Sequence, residues 1–361
     1  MVLTVNLRTA NSTPVYIQFV FFKYFIYIVF VYLLNIMGIK NLSKLITCDE
    51  ITFKDLGTCT IGIDMSIYVY KYICTFKLTT VNPVLLNTSQ TTSTQTSDNL
   101  DTTVIAGIIK KILQLIKLNI TPVIVFDGKP PEAKLKTIES RKQSIDPEIS
   151  KRIKNIDYTK IKNILTILGI PWIQSPGESD CVLTYLYLTK QIDYVLSNDL
   201  DILCYLARNA EANNISNLCL LREINSRLQI FRLKDILKHL DMSPDQFVKL
   251  CILCGCDYTG TIRGIGPVKA KQFVKSNKDI QSDTCDYNLA LTCFTLDPEL
   301  QNKINEPYKN FKLQPFTEDN QSKIKQILKD LDFTEHSINN IVSVRMKNCC
   351  AQKTIFSFVK K

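Results

Sequence analysis

Thr60-Ile61-Gly62-Ile63-Asp64-Met65-Ser66 decides the fold of this chain. Thr60–Ile63 reads as a buried strand that ends at Asp64, and Ser66–Phe76 reads as the helix that follows. The unit recurs. Pro122–Phe126 is a strand closed by Asp127-Gly128, and Tyr194–Leu196 is a strand ending at Asp199. Pro171-Trp172-Ile173 is a short strand leading to Glu178 and Asp180, and Leu218–Leu221 with Leu228–Phe231 reads as a strand pair. Helical spacing marks Met37–Ile46 (through Ile39, Leu42, Leu45 and Ile46), Val104–Leu118, Ile161–Leu168, Cys181–Tyr187 and Pro244–Cys254. Strand and helix in alternation predict an α/β fold on a mostly parallel sheet flanked by helices.

Seven carboxylates fall on five separated islands: Asp64, Asp127, Glu178 with Asp180, Asp199 with Asp201, and Asp257. A parallel sheet lines the carboxyl ends of its strands along one edge, so acids at those ends converge. Any one of them alone has a blander reading. An Asp after a strand caps a helix or forms a turn, Glu178 and Asp180 favour the start of a helix, and Asp199 and Asp201 flank a tight turn. Five islands together point elsewhere. That much negative charge in one cleft repels itself unless cations sit there, and oxygen-only ligation suits Mg²⁺ or Mn²⁺ rather than zinc.

The 361 residues can bury one large core, or a core and a smaller lobe. Net charge is +10 although the predicted site is acidic, so the excess Lys and Arg lie around it, as suits a polyanion. A merely soluble basic protein has the same charge. Thirteen cysteines are scattered through apolar segments, and the single C-x-x-C, Cys251 and Cys254, meets only two histidines in the whole chain. Buried thiols in a reducing compartment are expected rather than a zinc site. Residues 15–34 are nearly all apolar and long enough to span a bilayer, but Gln18 and Lys23 interrupt them and no small-residue cleavage site follows. We read Met37 as the start of the folded protein and 1–36 as an apolar extension upstream of it; the membrane reading stays open.

Residues 79–103, rich in Thr, Ser and Asn, read as a solvated loop. Residues 132–162 carry nine Lys or Arg and little apolar content between Leu135 and Ile153. A charge run is ordinarily a solvated face, yet this one directly follows an acidic island and is placed to grip phosphates over it. After Asp257, Ile262-Arg263-Gly264-Ile265-Gly266-Pro267 brings two glycines and a helix-starting proline, with Lys269 and Lys271 on the next helix. This resembles the hairpin of a helix-hairpin-helix DNA module, whose amides hold a phosphate without sequence readout; a tight turn before a capped helix is the plain alternative.

The motifs MGIKNL, IGIDMS, VFDGKPPEAK, GIPWIQSPGESD, LSNDLDIL and LCGCDYTGTIRGIGPVKA stand in the order found in flap-endonuclease-type structure-specific 5′ nucleases, the xeroderma-pigmentosum-G superfamily. The resemblance runs from Met37 to about Lys275. It implies a PIN-like α/β core, two Mg²⁺ ions (Mn²⁺ could replace them), and a helix-hairpin-helix variant holding duplex DNA with a monovalent cation such as K⁺. By position, Asp64, Asp127, Glu178 and Asp180 match the acids nearest the first metal, and Asp199, Asp201 and Asp257 those around the second. Asp180 stands where many members have Glu. Lys134 and Arg141 match the two basic residues at the foot of the family's helical gateway, where they contact the scissile phosphate. Tyr70 matches the aromatic that stacks on the terminal base, with a core tyrosine as the alternative. Arg263, Gly264, Gly266, Lys269 and Lys271 match the DNA-binding hairpin. The family also begins at Met-Gly-Ile with that glycine near the active site, which supports Met37 as the start.

The resemblance thus implies hydrolysis of phosphodiesters in branched or 5′-ended DNA during replication, repair or recombination. Glu178 follows Asp127 by only 51 residues, so the gateway is reduced, as in the GEN-type Holliday-junction resolvases; FDGKPPEAK and IRGIGP look more like flap endonucleases. A catalytically inactive DNA-binding scaffold is the non-enzyme alternative, but it would have shed acids and none is missing. In the tail, Gln352, Ile355 and Phe358 resemble a sliding-clamp (PCNA-like) peptide, with Val359 in place of its second aromatic. The expected organisation is an extension 1–36, nuclease regions 37–131 and 163–258 around a basic gateway 132–162, a hairpin module with C-terminal helices 259–345, and a tail 346–361. No stable membrane association is expected, and the implied location is intracellular: the nucleus, or a cytoplasmic replication site for a viral protein.

Overall fold

Each strand predicted from the sequence joins a single seven-stranded sheet. The strands are β1 (Asp49–Ile51), β2 (Cys59–Asp64), β3 (Ile120–Phe126), β4 (Trp172–Gln174), β5 (Tyr194–Leu196), β6 (Cys219–Ile224) and β7 (Arg227–Arg232), in the spatial order β1-β7-β6-β5-β2-β3-β4. Strands β4, β3, β2, β5 and β6 run parallel; β7 is antiparallel to β6, and β1 to β7. The structure is a computed structural model that describes residues 38–81, 97–144, 150, 151, 153, 155–224, 227–276, 285–304 and 311–358. Within its helices the side chains of 74–81, 97–101, 142, 144, 212–214, 301 and 348–358 lie outside the described set.

The helices are α1 (Met65–Val81), α2 (Ser97–Lys117), α3 (Glu132–Ser144), α4 (Tyr158–Ile167), α5 (Ser179–Leu188), α6 (Asp201–Asn209), α7 (Leu233–Leu240), α8 (Pro244–Cys254), α9 (Pro267–Lys275), α10 (Tyr287–Phe294), α11 (Leu300–Lys303), α12 (Glu318–Asp330) and α13 (Glu335–Phe358). Two apolar layers cover the sheet, as a parallel sheet requires. The two-residue period of a strand divides β3 between them: Val123 and Val125 join the layer of α5 to α11, while Ile124 and Phe126 join that of α1, α2, α4, α12 and α13. Gly62 in β2 lets α5 approach closely, since a Cβ there would lie 2.5 Å from Ile192 and 2.8 Å from Leu183.

The chain after Asp257 divides between the two faces. Helices α9 to α11 pack beside α8, whereas α12 and α13 cross to the opposite layer against α2 and α4. Arg345, fully buried on α13, fastens that crossing: its Nε donates to Leu168 O and its Nη2 to Gln314 O, both at 2.6 Å. Cys59, Cys204, Cys219, Cys251, Cys254 and Cys256 are buried and free, as expected of small apolar fillers.

Two expectations are corrected. Residues 38–46 do not form a helix; only Leu42–Lys44 makes a 3₁₀ turn. Gly38 and Asn41 take left-handed φ values of 69° and 56°, and Lys40 N donates to Gly255 O at 2.9 Å. Ile39, Leu42 and Ile46 are buried through turns, so helical spacing of apolar residues arises without a helix. The expected loop 79–103 is shorter at both ends, because α1 runs to Val81 and α2 begins at Ser97. The apolar period that marks α2 starts at Val104, and a helix can run past its apolar stripe into polar sequence. Residues 82–96 lie outside the described residues, as do 1–36, Met37 and the segment 15–34. No described helix is long and apolar enough to cross a membrane.

Candidate active site

The strand order reverses between β2 and β5: the chain passes from β2 outward through β3 to β4, then returns to β5 on the other side of β2. A crevice opens at such a reversal, beyond the carboxyl ends of the strands. Asp64 ends β2, Asp127 follows β3 and Asp199 follows β5. Glu178 and Asp180 stand at the start of α5, Asp201 opens α6, and Asp257 lies just past α8. Asp64, Asp127, Glu178, Asp180 and Asp199 line one cavity of about 320 Å³. Asp199, Asp201 and Asp257 each contribute an oxygen to a group within 4.8 Å of one another. The structure therefore brings all seven acids together.

The capping roles are real as well. Asp64 accepts from Ser66 N and Ser66 Oγ, Asp127 from Ser179 N, and Asp199 from Asp201 N, each at 2.9 Å. Capping does not account for Asp180, Asp201 or Asp257, which are 6%, 1% and 2% exposed. Burial, and then Asp127, pushes the Asp64 carboxyl up to about 7. Burial, and then Asp199, raises Asp180 and Asp201 well above the usual carboxylate range, and burial with Asp257 raises Asp199. Lys134 moves the opposite way for its environment: burial opposes its charge, but Glu178, Asp257 and further acids outweigh burial and raise it.

Helix α3 supplies the cations. Lys134, Thr137, Ile138 and Arg141 recur at helical spacing on one face. Lys134 pairs with Glu178 and lies 3.1 Å from Asp257 Oδ2; Arg141 pairs with Asp257; and Thr137 Oγ1 donates to Asp257 O at 2.8 Å. Of the basic segment, Lys134 and Arg141 thus dock on the acids, while Lys136 and Lys151 are exposed as on a solvated face. Tyr70 of α1, Pro130, Ile138 and Ile153 add apolar wall to the cavity. Gly38 borders it from the amino-terminal segment, where a Cβ would stand 2.0 Å from Asp199 Oδ1.

Arg263, Gly264, Gly266, Lys269 and Lys271 are not in this cavity. They form the turn between α8 and α9 and the first residues of α9, and these two helices pack against each other. Gly264 has φ 80°, nothing stands within 4 Å of a Cβ at Gly264 or Gly266, and Pro267 occupies the first turn of α9. Arg263, Gly264, Gly266 and Lys269 are exposed, and Lys271 is half-buried. The backbone of Gln352, Ile355 and Phe358 continues α13, and their side chains lie outside the described residues.

Thr137, Ile138, Tyr258 and Tyr205 also belong to the site or its support and were not expected from the sequence. The first two were legible as the residues three and four beyond Lys134. Tyr258 donates to Glu178 Oε2 at 2.5 Å and its ring lies 5.9 Å from Lys134 Nζ. Only its adjacency to Asp257 hinted at this.

The residues fit divalent ions. Asp201 Oδ1 is buried and accepts no hydrogen bond, and the donor set is all oxygen. A pH dependence follows. A carboxyl such as Asp64, raised to about 7, contributes stability that is complete below the unfolded-state value and is lost as pH rises through about 7. The melting temperature of metal-free protein is expected to fall between about pH 4 and pH 7 on this account, and added Mg²⁺ to raise it far more at pH 8 than at pH 5. Scanning fluorimetry with and without chelator checks this; a Mg²⁺ effect of equal size at both pH values would contradict it.

The XPG N-terminal domain family matches residues 37–147, and the XPG I-region family residues 169–257. Flap endonuclease 1 of Methanococcus aeolicus is 34% identical over 251 residues, which is 63% of this chain and 72% of the relative. Flap endonuclease 1 of Enterocytozoon bieneusi is 30% identical over 279 residues, 68% of this chain and 72% of the relative. The chain belongs to the XPG family of structure-specific nucleases, in which the flap endonucleases stand. In fold it is similar to flap endonuclease-1 from Methanococcus jannaschii (TM-score 0.62, 20% identity, 86% of this chain and 99% of that one). It is similar also to human GEN1 in complex with Holliday junction DNA (TM-score 0.60, 18% identity, 86% and 78%).

Proposed function

We propose that this protein is a Mg²⁺-dependent structure-specific 5′ nuclease of the flap-endonuclease and 5′-3′ exonuclease type. The observation that carries the reading is the single pit of seven acids with Lys134 and Arg141 closing over it from α3. Asp64, Asp127, Glu178 and Asp180 would hold one ion, and Asp199, Asp201 and Asp257 a second. Ions bound there supply the Lewis acidity that phosphodiester hydrolysis requires, with Mn²⁺ able to replace Mg²⁺. Lys134 and Arg141 neutralise charge that develops on the scissile phosphate. Tyr70, on the apolar wall, stacks on the terminal base. The amides of Gly264 and Gly266, with Arg263, Lys269 and Lys271, hold the duplex backbone, assisted by a monovalent cation such as K⁺, and so set the position of the cut. Gln352, Ile355 and Phe358 would engage a sliding clamp. The setting is intracellular DNA replication, repair or recombination.

A second reading, a Holliday-junction resolvase, is favoured by the 51-residue spacing of Asp127 and Glu178 and by the near-equal fold likeness to the GEN1 structure. Side-by-side cleavage of 5′-flap, nicked and four-way DNA separates the two. The flap substrate is expected to be cut at least about tenfold faster than the four-way junction. Paired symmetric cuts in the junction with poor flap cleavage would establish the resolvase instead.

A further inference from the structure

Glu178 is held by more than Lys134. Its Oε1 takes the Lys134 ammonium, while Oε2 accepts from the Tyr258 hydroxyl at 2.5 Å. That hydroxyl lies 2.7 Å from the Tyr205 hydroxyl, which in turn takes the Cys181 thiol at 3.4 Å. The direction of these bonds is fixed by counting protons. Tyr258 donates its one proton to Glu178. Tyr258 must then accept from Tyr205, and Tyr205 from Cys181. Three groups from α5, α6 and the segment after α8 thus all point their protons toward a single carboxylate. Tyr205 and Tyr258 are 1% and 2% exposed, so water does not compete for these bonds. Phe294 of α10 locks both rings, edge to face, with centroids 5.0 Å from each.

We propose that Tyr258, backed by Tyr205, is a positioning residue that fixes the orientation of Glu178 and of Lys134 for the metal and the phosphate. This rests on the nuclease reading of the site. Tyr258 is suited to the task because its two ends serve two partners. The hydroxyl sets the carboxylate, and the ring face, 5.9 Å from Nζ, sets the ammonium. Groups that hydrogen-bond a ligating carboxylate commonly govern its affinity for metal by roughly 10–100-fold.

The test uses the full chain with Mn²⁺ as probe. Isothermal titration without DNA is expected to show Mn²⁺ binding about 10–100-fold weaker in Tyr258→Phe than in wild type. Single-turnover cleavage should need a correspondingly higher Mg²⁺ concentration for half-maximal rate, with DNA affinity unchanged. Tyr205→Phe should move the same quantities less, under about tenfold. The double variant should be no worse than Tyr258→Phe alone, because Tyr205 acts through Tyr258. Tyr205→Phe keeps the question answerable if Tyr258→Phe does not fold. Equal Mn²⁺ affinity in wild type and Tyr258→Phe overturns the positioning role and leaves the nuclease reading standing. Earlier melting with unaltered metal dependence assigns Tyr258 to packing and overturns the role as well. Absence of Mn²⁺ binding in wild type overturns both.

Discussion

Asp199→Asn is expected to reduce Mg²⁺-dependent cleavage on the order of 10³-fold while DNA affinity stays normal or rises. Asn retains an oxygen where Asp199 Oδ1 now accepts from Asp201 N, so the turn into α6 survives the change. What it loses is the charge, at the residue common to the cavity and to the tight group of Asp199, Asp201 and Asp257. Asp199 is among the charges that press on Asp64, Asp180 and Asp201, so its removal relieves repulsion within the pit and between the pit and a phosphate. Gel-shift affinity and single-turnover cleavage measured on the same preparation report the two effects separately. Full cleavage by this variant would remove the acids from the chemistry.

Lys134→Ala and Arg141→Ala are each expected to slow the single-turnover rate by roughly 10²–10³-fold at saturating DNA. Both cations face acids now, at 13% and 18% side-chain exposure, and both stand on the face of α3 that lines the cavity. Removing either also leaves buried carboxylates less compensated, so metal-free variants should melt earlier than wild type. Mg²⁺ should recover stability without recovering rate. That pattern separates a role at the phosphate from a role in holding the fold. Unchanged rates would take both residues out of the mechanism.

The sheet and its acids were legible because the two signals coincide in sequence. A short apolar run followed by Asp gives both the strand and the place where it stops, and one topological reversal then gathers Asp64, Asp127 and Asp199. Asp257 was legible as an acid that follows an apolar run, although that run is the helix α8 rather than a strand. The segment from Gly38 to Ile46 misled because burial of Ile39, Leu42 and Ile46 obeys the spacing of a helix while Gly38 and Asn41 break it. Gly38 serves a different constraint, the absence of a Cβ beside Asp199. The bonds of the Tyr258 and Tyr205 hydroxyls could not be read, beyond the hint that Tyr258 adjoins Asp257. Their partners lie 80 and 53 residues away, and a tyrosine in an apolar setting carries no sequence mark of the bond it makes. Likewise nothing in the composition of α12 and α13 says which face of the sheet they cover; the carbonyls of Leu168 and Gln314 that Arg345 satisfies belong to distant segments.

The most direct measurement is anomalous diffraction from a crystal of the full chain grown with Mn²⁺. Manganese peaks bonded to oxygens of Asp199, Asp201 and Asp257, and to the acids around Asp64 and Asp127, are the predicted result. Density showing the seven carboxylates gathered as described, with no manganese on any of them at saturating concentration, would contradict the account.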